Sequence, residues 1–243
     1  MQIEISEGML LIGRTVGSEI ISVIENATKS IRVISQQVSP RYVQLLRAKN
    51  EQGINVQLIT TENNDSRCYS HLITRNEHAD EKGIAAKSRD IKIAIVCLVV
   101  GILMLLTNFI HFSYSFLLGL TALVVSVVFF KRRKKHRLRY YSFSPNFEFK
   151  VFRISFRDGY PTNTSKFFVN GKLYIIDDSV AYLGSGNLTE SGMNSNYETF
   201  VKITSPIEIN KLIKEYNVLF NHEELQCFNT NELGAIVYGF RCS

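Results

Sequence analysis

Residues 170–190 read NGKLYIIDDSVAYLGSGNLTE, beginning at Asn170 and ending at Glu190. Runs of β-branched and aromatic residues around a polar turn give the stretch the character of a β-hairpin. Side chains alternate along a strand, so Asn170 and Lys172 project on one face and can meet a single phosphate together. Lys172 offers positive charge to non-bridging oxygens. Asn187, after the Gly184-Ser185 turn, offers oriented amide donors to charge developing on phosphorus. Gly184 and Gly186 permit close backbone approach, as would an ordinary hairpin turn with a glycine bulge. Such a site asks for no metal and no cofactor.

Working outward, residues 17–30 put Ile20, Ile21, Val23, Ile24 and Ala27 on one helical stripe, and residues 31–35 (IRVIS) read as a strand. Ser39-Pro40 opens a second helix through Leu45, Leu46 and Ala48 that stops at Gly53, and residues 54–60 form a second strand. This rhythm is a βαβ unit, a parallel strand pair covered by helices. Residues 63–81 are polar and without period, which predicts a linker. Strands are expected near 147–155, 166–170, 172–177 and 198–203, then an amphipathic helix over 206–221 carrying Ile209, Leu212 and Tyr216. The apolar patch 233–238 reads either as a last strand or as a dimer contact.

The intervals Asn170-x-Lys172-x4-Asp177-x6-Gly184-Ser185-x-Asn187 resemble the HKD motif of the phospholipase D superfamily, H-x-K-x4-D-x6-G-S-x-N; every spacing is kept and only the first residue departs. Asn196-Tyr197-Glu198 resembles the segment whose acidic residue supports the catalytic histidine in that family, and residues 24–60 resemble its first βαβ unit. The resemblance covers most of the chain. It implies an α/β fold, a mixed sheet flanked by helices, with site residues Asn170 (the position of the nucleophilic histidine), Lys172, Asp177, Ser185, Asn187 and Glu198. It also implies a phosphohistidine intermediate and, because the chain carries one motif, a homodimer that builds the site from two copies. An amide has no usable pKa near neutrality and serves neither as nitrogen nucleophile nor as general acid, so the chain as written is expected to be catalytically dead or nearly so. It is either a binding protein that lost its chemistry or an enzyme disabled at one position, and the retention of the other motif residues favours the second. His71, His78, His111, His136 and His222 lie outside the motif, and none is an evident substitute.

Residues 93–130 contain no Lys, Arg, Asp or Glu. One helix of that length would extend ~57 Å, about twice a ~30 Å hydrocarbon core, so the expectation is a transmembrane hairpin interrupting the α/β domain, with spans near 93–109 and 113–130. Lys82, Lys87, Arg89 and Lys92 precede it and seven basic residues from Lys131 to Arg139 follow, which predicts a multi-pass inner-membrane protein with both ends in the cytoplasm and anionic lipid as a contact of the basic run. The domain boundaries then fall at 1–81, 82–139 and 140–243.

The net charge of +6 divides unevenly: residues 82–139 carry +10 and the remainder −4. The broad positive surface of a high-affinity nucleic-acid binder is therefore missing from the α/β part. Four scattered cysteines, Cys68, Cys97, Cys227 and Cys242, suggest reduced thiols rather than a zinc site or disulfide framework. Residues 1–8 lack a basic region before an apolar core, and no signal peptide is expected there. The favoured function is a membrane-anchored, metal-independent phosphodiesterase acting on nucleic acid, with a role against phage suggested by its expected placement. A phospholipase acting on lipid headgroups and a non-catalytic phosphate-binding or scaffold protein are the alternatives.

Overall fold

The computed structural model describes residues 8–62, 65–107, 115–136, 138–153, 155–157, 160–162, 169–223 and 226–239. The chain forms two units, one of Met1–Arg75 with Phe143–Ser243 and one of Asn76–Ser142.

The first unit opens with β1 (Met9–Arg14), α1 (Gly17–Glu25), β2 (Ser30–Ile34), α2 (Pro40–Glu51) and β3 (Asn55–Thr61). Ile20 and Ile24, one turn apart, are fully buried on α1. Ser39 sits extended at the N-cap of α2 with Pro40 at its first position, and Gly53, at φ +88°, carries the chain out of it. The segment expected to be a linker instead holds α3 (Ser66–Leu72) and β4 (Ile73–Ala79). Asp65 caps α3 by accepting from Arg67 N at 2.8 Å, and Cys68, Tyr69 and Leu72 bury one face of a helix too short to print a period on its polar sequence. Residues 63 and 64 lie outside the described residues.

Beyond the second unit come β5 (Arg139–Pro145), which pairs with β4, then β6 (Glu148–Phe152) and the small hairpin β7 (Ser155–Arg157) and β8 (Tyr160–Thr162). They are followed by β9 (Leu173–Ile176), β10 (Val180–Gly184), α6 (Glu190–Asn194), β11 (Tyr197–Ile203), α7 (Pro206–Phe220) and α8 (Thr230–Tyr238). Of the strand expected at 166–170, residues 166–168 lie outside the described residues and 169–170 are irregular. The patch 233–238 is not a strand: it is the body of α8, with Leu233 and Gly234 buried and Ile236 exposed. Asn229 and Glu232 close a capping box around its start, and Gly239 ends it at φ +67°.

The main sheet has the order β1-β11-β10-β9-β2-β3-β6. β2 and β6 run parallel to β3, and the other neighbours are antiparallel, which makes the sheet mixed. Every residue of β9 is buried, as expected of a strand covered on both faces. One face packs Leu173, Ile175, Ala181 and Ile203 on Ile209, Leu212 and Tyr216 of α7. The expected α/β sheet flanked by helices is present.

The second unit is a pair of helices, α4 (Glu81–Thr107) and α5 (Ser115–Arg132), and its transmembrane assignment is corrected: among the described residues no helix is long and apolar enough to cross a membrane. Residues 81–92 of α4 carry Glu81, Lys82, Lys87, Arg89, Asp90 and Lys92. The uncharged parts, 93–107 and 116–130, each extend only ~22 Å at 1.5 Å per residue, short of a ~30 Å hydrocarbon core. The multi-pass inner-membrane placement falls with the spans. The turn expected between them lies outside the described residues. The helices approach closely at Gly101 and Gly119, where a Cβ on Gly119 would sit 3.2 Å from Gly101 O. Ser126 Oγ donates to Ala94 O at 2.8 Å across the pair.

Candidate active site

β2 is parallel to β3, and β9 and β10 run antiparallel beside them, so the carboxyl ends of β2, β3 and β10 and the start of β9 meet at one edge of the sheet. In open α/β sheets this is where ligands bind. Lys172, one residue before β9, donates from Nζ to Asn170 Oδ1 at 2.6 Å and to Asn170 O at 3.1 Å. The two side chains meet as expected, but not by strand alternation: both lie in irregular chain ahead of β9, which begins only at Leu173. Burial lowers the Lys172 ammonium from its ordinary range, against the opposing pull of the Glu198 carboxylate.

The glycine-rich turn is brought to Lys172 by backbone bonds: Gly184 N donates to Lys172 O at 3.2 Å, and Ser185 N to Thr199 O at 3.0 Å. Tyr174, fully buried, donates its hydroxyl to Gly186 O at 2.8 Å, and burial pushes its pKa far up, so the donor stays protonated. A Cβ on Gly184 would lie 2.1 Å from Thr199 O and 2.5 Å from Phe200 Cδ1. Gly184→Ala is therefore expected to destabilise the first unit by about 3 kcal/mol, read as a lower urea midpoint at unchanged slope.

Ser185 Oγ donates to Glu198 Oε2 and accepts Thr199 N at 3.1 Å, while Asn196 Nδ2 holds the other oxygen, Glu198 Oε1, at 3.2 Å. Glu198 is buried at 9 % exposure, whereas Ser185 and Asn170 are exposed. Asn187 Oδ1 accepts from Gln37 N at 3.4 Å and Ser35 Oγ at 3.5 Å, which leaves its amide nitrogen as the donor side. Five of the six expected residues, Asn170, Lys172, Ser185, Asn187 and Glu198, thus gather at one place.

Asp177 does not join them. It follows the four residues of β9, ~16 Å along the strand from Lys172 at ~3.3 Å per residue. Its carboxylate there accepts Thr28 N at 2.9 Å, Lys29 N at 2.7 Å, Ser30 N at 3.0 Å and Thr28 Oγ1 at 3.1 Å. Burial works to raise its pKa, but the hydrogen bonds from Ser30, Thr28 and Lys29 outweigh it, and the net shift is downward. Asp177 and Asp178 both have positive φ, 53° and 54°, as in the primed turns of hairpins.

Ser35 was missed by the sequence reading. Fully buried, it donates to Gln37 O at 2.6 Å and accepts Leu188 N at 2.8 Å, tying the end of β2 to the residue after Asn187. Its signal was a lone hydroxyl closing an apolar strand. Tyr174, hidden among the unspecified positions of the motif, carried none.

Fold and site define an α/β protein with a lysine, two amides and a hydrogen-bonded carboxylate near one edge of its main sheet. The family model described as "Cardiolipin synthase, PLD-like domain" matches residues 20–223, and the chain belongs to that family, within the phospholipase D superfamily. Among solved structures it is similar to NucT from Helicobacter pylori (16% identity, TM-score 0.46, covering 91% of this chain and 99% of that one). It is also similar to the phospholipase D family member Nuc from Salmonella typhimurium (13%, 0.44, 92% and 99%) and to polyphosphate kinase from Porphyromonas gingivalis (10%, 0.43, 95% and 27%). No curated protein matches the sequence.

Proposed function

We propose that this chain is a phosphodiesterase scaffold for nucleic acid, built as a homodimer and inactive as written because position 170 holds asparagine. The observation that carries the reading is the contact of Lys172 Nζ with Asn170 Oδ1 at 2.6 Å, with the buried Glu198 carboxylate, whose charge acts on Lys172, held by Ser185 and Asn196. A histidine at 170 would attack phosphorus through a ring nitrogen. The P–O bond to the leaving group breaks, and the departing oxygen takes a proton from the corresponding histidine of the second copy. Water then cleaves the phosphohistidine. Lys172 and Asn187 stabilise the charge that builds on the non-bridging oxygens. None of these steps is routed through a metal.

The open rim favours nucleic acid over lipid. Tyr197, 72% exposed and immediately before Glu198, lies opposite Arg14 in the β1–β11 register. An aromatic face beside a guanidinium suits a stacked base and its phosphate. The role against phage rested on crossing helices and is not carried forward.

The test offers single- and double-stranded DNA, RNA and phospholipid vesicles, with chelator, to the Asn170→His form and to the chain as written. Nucleic-acid cleavage by the histidine form alone supports the proposal. Headgroup release instead would replace nuclease by phospholipase. In the histidine background, Lys172→Gln is expected to lower turnover about 100-fold. A Lys172 variant of unchanged rate would remove the lysine from the site.

A further inference from the structure

Ile95, Val96, Leu98, Val99 and Val100 are all exposed on α4, and so are Leu117, Leu118, Val124, Val127 and Val128 on α5. Successive helical positions turn by about 100°, so this apolar surface wraps round each helix instead of forming one stripe. Two polar groups of the pair turn inward: Ser126 bonds across to α4, and Asp90, 1% exposed, meets His136 Nε2 at 2.7 Å and Arg132 at 3.8 Å. Those last contacts bring the two charged ends of the hairpin together. Lys82, Lys87, Arg89 and Lys92 of α4 therefore share one end with Lys131, Arg132 and the 3-10 turn Arg133–Lys135.

We propose that this hairpin seats in one leaflet of an anionic bilayer without crossing it, its basic end among the headgroups and its uncharged arms among the acyl chains. Exposed apolar surface of this extent marks an interaction site. A second copy of the chain would cover one face of the pair, whereas lipid covers every side. The concentration of cations at a single end matches anionic headgroups, to which each Lys or Arg near the surface adds attraction within a Debye length. The arms, ~22 Å long, exceed the ~15 Å of one leaflet's hydrocarbon and fall short of the ~30 Å of two, so the hairpin tilts. The surface belongs to the second unit and its lipid contact is independent of any phosphodiester chemistry.

The test uses the full chain with vesicles of phosphatidylcholine alone or mixed with phosphatidylglycerol. The chain has no tryptophan, so Leu103→Trp, at an exposed position, gives a single fluorescent reporter. Its emission is expected to move to the blue with the mixed vesicles and to be quenched by bromine on the acyl chains. Flotation with the mixed vesicles is expected, and it should be at least tenfold weaker in high salt, with vesicles of phosphatidylcholine alone, or when Lys131, Arg133, Lys134 and Lys135 are all changed to Gln. That charge variant keeps the hairpin core intact, and an unchanged far-ultraviolet spectrum checks its fold. Emission unaffected by vesicles overturns the proposal. So does a blue shift produced by protein concentration alone, which would identify a second copy as the occupant, or equal binding by the charge variant. Turnover is not read, so failure of the phosphodiesterase proposal leaves this outcome separate.

Discussion

Asn170→His is expected to raise phosphodiester turnover by at least about 10³-fold over the chain as written, measured as initial rates on labelled oligonucleotides in chelator. The reason lies in what already stands around position 170. Lys172 reaches the Asn170 side chain, Glu198 is held by Ser185 and Asn196 so that its charge is directed, and Asn187 is anchored at Gln37 N and Ser35 Oγ. The substitution supplies a nucleophile to a site whose remaining groups are preorganised. Mixing the two forms tests the dimer: if each site needs histidines from both copies, activity falls as the square of the histidine fraction, whereas independent sites give a straight line. The pH profile carries a further mark. Burial lowers the Lys172 pKa, so its charge is lost at a lower pH than that of a free lysine, and the alkaline limb should fall correspondingly early. A histidine form that turns over no phosphodiester would sink the enzyme reading.

Asp177→Ala should destabilise the first unit by about 3 kcal/mol in urea unfolding, because it orphans the donors of Thr28, Lys29 and Ser30 and leaves alanine at positive φ. Asp177→Asn keeps an acceptor and a residue that tolerates the left-handed turn, and is expected to cost about 1 to 2 kcal/mol. The pH dependence follows in sign from the lowered pKa. The unfolded carboxylate binds protons first, so the charge contributes fully above the unfolded value near 3.9, and the contribution is lost as pH falls through the folded value. The gap between the chain as written and the asparagine variant should therefore be constant at neutral pH and close in acid. A gap that ignores pH would show that the carboxylate charge is not what holds the turn to the start of β2. Loss of turnover in an Asp177→Asn,Asn170→His double variant of undiminished stability would instead return Asp177 to the phosphate side.

The motif intervals, the first βαβ unit and the final amphipathic helix were legible because each is written in local order. The spacing of Ile209, Leu212 and Tyr216 marks the buried face of α7, whereas Asn170 and Lys172, two residues apart, meet in irregular chain just ahead of β9. The linker was misread since α3 is only 7 residues long, under two turns, and its stability comes from Asp65 and from burial rather than from a repeating pattern. The hairpin was misread by length alone. Counted as one uncharged run it spans two membrane crossings, but divided into described helices each arm is too short for one.

The sequence by itself determined that Lys172, Asp177, Ser185 and Asn187 stand at the intervals of the family's motif, with asparagine at 170 where that motif has histidine. Only the tertiary structure decided that Asp177 leaves that group to clamp Thr28, Lys29 and Ser30, and that Ser35 joins its support. Periodicity fixes which side of a strand a residue faces; it is silent on which backbone, some 150 residues distant, the fold brings against it.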